Sequence, residues 1–334
     1  MKRQLAIVGL AAGFIACCVL VFVPDFPHVG RFIALTQLMF ALGVGIYWLG
    51  RDLAPRRDRW LLIAALLGAA AAARGILLVG PGETFLHSDD VYRYIWDGKV
   101  SASGINPYLY SPDDPALAHL RDAVIHPGIN HPHMPTVYPP LAQHMFLLVY
   151  LVGGDRTLPF KLVSALFELA TIVLLLLWLR AARLPLQRML LYLFSPLVLV
   201  EFFLSAHVDM LAMPFLVAAL LALERDRPAL TGAALALAAQ VKLLGLLFAP
   251  PLFFQLGETR RWRFLLAFCA VFGALYVPHV VDGGWAVLGS LPTYLRRWTF
   301  FASIFALLRL LLDEHVARLV VAAALGSWTL GVSL

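Results

Sequence analysis

The sequence predicts an all-α polytopic membrane protein, and three observations carry that prediction. The 334 residues are 61% hydrophobic and only 14% charged, with a mean hydropathy of +0.82. Soluble domains run nearer ~45–50% apolar and about 25% charged. The apolar residues fall in repeated runs, many near the ~20 residues that cross a bilayer as a helix. The basic residues fall in short clusters between those runs, as topology signals do. A net charge of +6 distributed in this way forms no basic stripe, which argues against a nucleic-acid partner. The three cysteines, Cys17, Cys18 and Cys269, all lie inside apolar runs. They read as small hydrophobes, with no disulfide or zinc spacing.

Lys2 and Arg3 place the N-terminus in the cytoplasm. The following run is long for a signal-peptide core, and "VFVPDF" is not a small-residue cleavage site. Leu5–Val23 therefore reads as a retained span, and Phe32–Leu49 returns. The loop "RDLAPRRDR", with Arg51, Arg56, Arg57 and Arg59, stays inside. Trp60–Val79 crosses outward, so residues 80–159 are external. The run at 138–154 opens on Pro139 and Pro140 and is short. If it crossed, "RAARLPLQR" would face outside against the positive-inside pattern. It is predicted as a juxtamembrane or re-entrant helix. Phe160–Leu179 then runs inward, Met189–Ala206 outward and Met210–Leu223 inward. A hairpin broken near Lys242 (Ala229–Lys242, Leu243–Leu256) follows, and Phe264–Val280 crosses outward. The last apolar run reaches the final residue, so a further helix is expected beyond it.

This scheme puts 14 of the 26 Lys and Arg residues in cytoplasmic segments and leaves the external stretch only Arg93, Lys99, Arg121 and Arg156. It predicts one membrane domain of roughly 9–11 helices. Residues 1–79 form three N-terminal helices, 80–159 a large extracytoplasmic loop, and 160–334 the remaining helices.

The external stretch contains "HSDDVYRYIWDGKVSASGINPYLYSP", residues 87 to 112. Ser88 or Asp89 can cap a helix with an acidic first turn. Val91, Ile95 and Trp96 share one side of it, with Arg93, Asp97 and Lys99 toward the other. That pattern predicts a helix lying at the interface, with Tyr92, Tyr94 and Trp96 at headgroup level. Gly104 ends it, "PALAHLRDAV" is a short second helix, and "HPGINHPHMPTVYPP" is a proline-braced loop. Asp97, Asp113 and Asp114 read first as caps or solvated loop residues. Asp89 and Asp90 sit where the chain returns to the lipid–water boundary, and adjacent carboxylates there suit a general base.

Polar groups inside apolar runs cost roughly 2.5–3.5 kcal/mol each on insertion scales and default to functional hypotheses. They are Arg74, Lys161, Glu168, Glu201, His207, Asp209 and Lys242, with Arg296 and Arg297 external. The bland reading of each is snorkelling or an internal pair such as Lys161–Glu168. The predicted topology, however, brings cations and carboxylates to the membrane face that holds Asp89. His207 and Asp209 also resemble half of a metal site, but with two ligands in view a divalent metal is only weakly supported. A lipid-phosphate sugar donor fits this arrangement. Its phosphate needs Arg or Lys, its tail needs a lipid-facing groove, and the acceptor hydroxyl needs one base. A phosphate leaves as a stable anion, so the second carboxylic acid of a glycosidase is not required.

"SDDVYRYIWDGKVSASGINPYLY" followed by "TVYPPLAQ" resembles the first extracytoplasmic loop of the GT-C class of integral-membrane glycosyltransferases. It is most similar to the bacterial polyprenyl-phosphate-mannose-dependent mannosyltransferases (family 87-like). It also resembles the eukaryotic enzyme that adds the first mannose of the GPI anchor. The shared elements are Asp89/Asp90, Tyr92, Asp97 and Gly104-Ile-Asn-Pro107-Tyr108. Two spans more than in many relatives precede the loop, and the acidic pair is adjacent rather than split.

The resemblance implies a GT-C-like bundle in the bacterial inner membrane, with its active site extracytoplasmic. It implies transfer of a hexose, mannose first, from a polyprenyl-phosphate donor to a glycolipid or glycan acceptor, with inversion. Asp89 is the leading base candidate and Asp90 the next. Arg93, Lys161, Lys242 and Arg296 are candidates for the phosphate, and Arg297 is a further substrate-contact candidate. Tyr92, Asp97, Tyr138, Glu201, His207 and Asp209 complete the candidate substrate contacts. The alternative is a transporter or flippase of lipid-linked sugars, which internal repeats would favour; none is visible.

Overall fold

The computed structural model describes residues 2–22, 29–52, 59–80, 88–297 and 302–331. Arg56, Arg57, residues 81–87 and the side chains of Arg296 and Arg297 lie outside the described residues. Every regular element among the described residues is helical, and the chain is an all-α polytopic membrane protein. The helices are α1 (Lys2–Leu20), α2 (Val29–Gly50), α3 (Trp60–Val79), α4 (Asp90–Ala102), α5 (Pro140–Gly153), α6 (Leu158–Ala181), α7 (Met189–Leu193), α8 (Pro196–Val198), α9 (Asp209–Glu224), α10 (Pro228–Val241), α11 (Ala249–Phe254), α12 (Glu258–Gly283), α13 (Leu291–Arg297), α14 (Ala302–Arg309) and α15 (Glu314–Gly331).

Among the described residues, five helical stretches are long and apolar enough to cross a membrane: Lys2–Leu20, Gly30–Gly50, Trp60–Val79, Leu158–Ala181 and Glu258–Tyr294. Large apolar side chains point away from the protein, among them Leu61 at 88% exposure and Val281 at 82%. Water would not tolerate so many, whereas lipid tails are as apolar as leucine. α5 has 14 residues, fewer than the ~20 that cross a bilayer as a helix.

Where one span was expected over Met189–Ala206, Leu186–Leu193 and Pro196–Leu204 are bent by 50°. Pro196 lacks an N–H and bars the helix from running through. Ser195 caps the restart through the Val198 N–H. Residues Leu199–Leu204 then form a π-helix, a rare turn that often marks functional positions. The expected helix over "PALAHLRDAV" is a 3-10 turn at Pro115–Leu120.

The contacts divide into two units, Met1–Val91 with Thr157–Met210, and Tyr92–Arg156 with Leu211–Leu334. In the first, α1 packs on α2 and α3, and Phe14 meets Phe194 edge-on at 5.3 Å. The Arg74 guanidinium lies inside this unit. Its Nε and Nη2 donate to Glu168 Oε1 at 2.8 and 2.6 Å, and its Nη1 donates to the Leu193 carbonyl at 2.9 Å. That carbonyl lies where the chain breaks before Pro196, so Arg74 caps a helix end that lipid could not satisfy. Glu168 is therefore paired with Arg74 and not with Lys161.

In the second unit α10 packs on α12. Tyr94, Tyr138 and Phe146 form an aromatic cluster, with Tyr94 stacked on Phe146 at 4.7 Å and edge-on to Tyr138 at 5.2 Å. Lys99 ties the connecting loop down through Asp122 at 2.9 Å and Asp155 at 3.2 Å. The expectation of an interfacial α4 is corrected: Arg93, Tyr94, Ile95, Trp96 and Asp97 are all buried. Arg93 and Asp97 read as a polar face in sequence because their i,i+4 pairing inside the protein is invisible to hydropathy.

Gly98 lets α4 approach α5. A Cβ there would lie 2.5 Å from the Phe146 carbonyl oxygen and 2.8 Å from Tyr150 Cβ. Gly98→Ala should destabilise the protein by about 1–3 kcal/mol through overpacking, read as a lower thermal midpoint in detergent. An unchanged midpoint would show that this contact is loose.

Candidate active site

The described residues gather the polar side chains of the first unit around His207. Asp90 opens α4 with its carboxylate in the first turn. Its N–H donates to Ser88 Oγ at 3.2 Å, which fixes the start of the helix. Asp89 lies in the turn before it and is exposed. After the π-helix, Ala206 takes φ 53°, the left-handed region that costs an L residue roughly 1–2 kcal/mol. The tight turn brings the His207 N–H to the Glu201 carbonyl at 2.9 Å.

The His207 ring then bridges two elements. Nδ1 donates to the Glu201 carboxylate. Nε2 lies 2.8 Å from Ser88 Oγ and 3.7 Å from Asp90 Oδ2. Burial alone would pull the imidazole pKa down. The hydrogen bond to Glu201, reinforced by the charges of Glu201, Asp90 and Asp209, carries it above its ordinary value. A protonated ring donates at both nitrogens, and both have an oxygen acceptor within reach here. Among the described residues no three His, Cys, Asp or Glu side chains group as a metal site.

A cavity of about 390 Å³ opens beside Glu201, with Phe32, Phe40, Pro196 and Leu197 as apolar wall and Thr36 and Gln37 as polar groups. Lys161 lies on α6 in the same unit, 5% exposed, with no ion-pair partner among the described residues. Asp90, Glu201, His207 and Asp209, which sequence reading singles out, meet in the fold. Ser88 entered that reading only as a possible cap, and its contact with His207 had no signal in the sequence.

The other candidates belong to the second unit. Arg93 Nε donates to Asp97 Oδ1 at 2.8 Å, and Gln143 Nε2 donates to Asp97 Oδ2 at 3.0 Å. Both charges are buried and engaged with each other, which fits a structural pair. The Tyr92 ring lies against Gly128, where a Cβ would meet it at 2.7 Å. Tyr138 belongs to the aromatic cluster, and its carbonyl accepts from Tyr108 Oη at 2.6 Å. Lys242 caps the C-terminus of α10 in extended conformation.

The lipid-exposed spans define an integral-membrane protein, with a charged cluster gathered at the start of α4. The chain belongs to the MptA_B family: the model of its alpha-(1->6)-mannopyranosyltransferase N-terminal domain matches residues 39–256. It is a mannosyltransferase, acting between a sugar donor and a glycan acceptor, and the match spans Asp90, Lys161, Glu201, His207 and Lys242. Searches of curated proteins and of solved structures each returned no match.

His207 gives a pH signature. Its folded pKa is raised, so the stability from its contacts is fully present below the ordinary value near ~6.5 and lost as pH rises through the higher folded value. Thermal midpoints of the wild type should fall relative to His207→Gln as pH rises from the ordinary imidazole value near ~6.5 upward. A difference that stays constant over that range would contradict a protonated ring.

Proposed function

We propose that the protein transfers mannose from a polyprenyl-phosphate donor to a glycan acceptor outside the cytoplasm of a bacterial inner membrane, with Asp90 as general base. The observation that carries this reading is the chain of contacts from Glu201 through His207 to Ser88 and Asp90. It fixes one carboxylate of the acidic pair at a helix start, beside a positive ring. A base must be positioned before it is basic, and this favours Asp90 over the exposed Asp89.

The reaction is a single displacement. The acceptor hydroxyl attacks the anomeric carbon and gives its proton to Asp90, while the bond from that carbon to the phosphate oxygen breaks. Polyprenyl phosphate leaves as an anion, and the sugar configuration inverts. His207 and Glu201 hold Asp90 in place. Lys161, buried and without an ion-pair partner among the described residues, is the first candidate to meet the donor phosphate, with Lys242, Arg296 and Arg297 next. The cavity beside Glu201 offers an apolar wall for the first isoprene units and polar groups for the sugar.

The test is transfer of label from polyprenyl-phosphate mannose to a mannan oligosaccharide by the purified protein in proteoliposomes. Label should appear in the oligosaccharide only when protein and lipid donor are both present. Turnover of a nucleotide sugar without lipid donor would contradict the reading.

A further inference from the structure

We propose that a slot at the start of α3 binds one anionic phospholipid of the bilayer, with an acyl chain between α3, α6 and α7 and its phosphate on Arg180 and Arg188.

A cavity of about 260 Å³ runs between Trp60 and Leu67 of α3, Ile172 and Leu176 of α6, and Leu190 of α7. No charged side chain lines it, and Gln187 is its one amide. Trp60 to Leu67 is two helical turns, about 10 Å, so the cavity is a slot along the helix axes. Trp60 is 58% exposed and Leu67 54%, so the slot opens sideways, where the surrounding surface is apolar and meets lipid tails. An apolar slot of this direction and depth suits part of an acyl chain.

The rim supplies the selectivity. Ile172, Leu176 and Arg180 stand four residues apart on one stripe of α6, and Arg180 is in its last turn. Arg188 follows Gln187 of the lining and closes the 3-10 turn Leu186–Arg188. Both arginines are exposed, and no ion pair holds either among the described residues. Other arginines at this end are engaged. Arg3 and Arg51 lie 3.0 and 3.9 Å from Asp52 Oδ2, and Arg59 donates to the Asp52 carbonyl at 3.4 Å. A guanidinium presents a planar fork to phosphate oxygens, and each basic group at a membrane surface adds attraction for anionic lipid. Trp60 suits headgroup depth. Arginines at helix ends also serve as topology signals, but that role asks for no apolar slot between them.

The slot is not the sugar donor's. The π-helix that carries Glu201 packs on α3, with the Phe203 ring 5.8 Å from the Arg74 guanidinium. Arg74 lies about 20 Å along α3 from Trp60. A donor with its phosphate on Arg180 would leave its sugar far from Glu201, His207 and Asp90. The slot does meet the fold's weakest span: Leu193 lines it, and the Leu193 carbonyl is the one that Arg74 holds before the break. A chain in the slot therefore packs against α7 just ahead of Pro196.

Native mass spectrometry of the full chain in detergent, titrated with dioleoyl-phosphatidylglycerol or dioleoyl-phosphatidylcholine, tests this. One phosphatidylglycerol should bind more tightly than phosphatidylcholine, whose choline cation would face the arginines. Arg180→Gln/Arg188→Gln should weaken phosphatidylglycerol binding about thirtyfold and leave phosphatidylcholine binding as it is. Leu176→Trp, which fills the slot, should weaken both lipids. Arg225→Gln/Arg227→Gln, which removes two exposed arginines of the second unit, should change neither. The proposal is overturned if phosphatidylglycerol binds no tighter than phosphatidylcholine, or as tightly to the folded Arg180/Arg188 or Leu176 variant as to the wild type. An equal loss in the Arg225/Arg227 variant would overturn it too, by making the attraction one of bulk charge. So would displacement of phosphatidylglycerol by polyprenyl phosphate, which would assign the slot to the lipid of the transfer reaction.

Discussion

Asp90→Asn is expected to lower mannosyl transfer by about two to four orders of magnitude, the usual contribution of a positioned general base. Asparagine is nearly isosteric but cannot take the acceptor proton. It also suits a helix start, so the Asp90 N–H contact to Ser88 Oγ and the amount of folded protein should survive. Asp89→Asn, one residue earlier in the exposed turn, should keep most of the rate. If the two variants came out in the reverse order, the base would be Asp89. Equal and small losses would mean that neither carboxylate takes the proton.

Glu168→Leu should carry the largest stability effect. It strands the Arg74 guanidinium, whose partner at 2.6 Å is only 4% exposed. Removing one member of a buried pair costs about 3–5 kcal/mol because a charge is left uncompensated, and in a membrane span hydration cannot rescue it without deforming the bilayer. The expected readout is a large drop in thermal midpoint and in folded yield. The double variant Arg74→Leu/Glu168→Leu should recover much of the loss, since two apolar residues replace two charges. It should stop short of full recovery, because the Leu193 carbonyl then loses the Nη1 donor that holds it at 2.9 Å. A single variant as stable as the wild type would mean that the pair is hydrated.

The spans were legible because hydropathy is read one helix at a time. α1, α3 and α6 run within a few residues of the expected Leu5–Val23, Trp60–Val79 and Phe160–Leu179. What pattern reading could not supply is pairing across the chain. Arg74 and Glu168 stand 94 residues apart, so the nearer Lys161 was the natural guess for Glu168. Arg93 and Asp97 sit on one helix, yet charge alone does not say whether such a pair faces water or the interior. Pro196 lies inside Met189–Ala206, which hydropathy reads as one span, and the π-turn that carries Glu201 toward His207 has no sequence signature. The polar residues of the site could be picked out as misfits in apolar runs, while the contact that joins Ser88, Asp90 and His207 came only from the fold.

The most direct measurement of the central claim is the anomeric configuration of the product, read by NMR after transfer from a β-linked polyprenyl-phosphate mannose. One-step attack by a hydroxyl that gives its proton to Asp90 predicts an α-linked product in the wild type, and almost no product from Asp90→Asn. A β-linked product, or an α-linked product formed at the wild-type rate by Asp90→Asn, would contradict it.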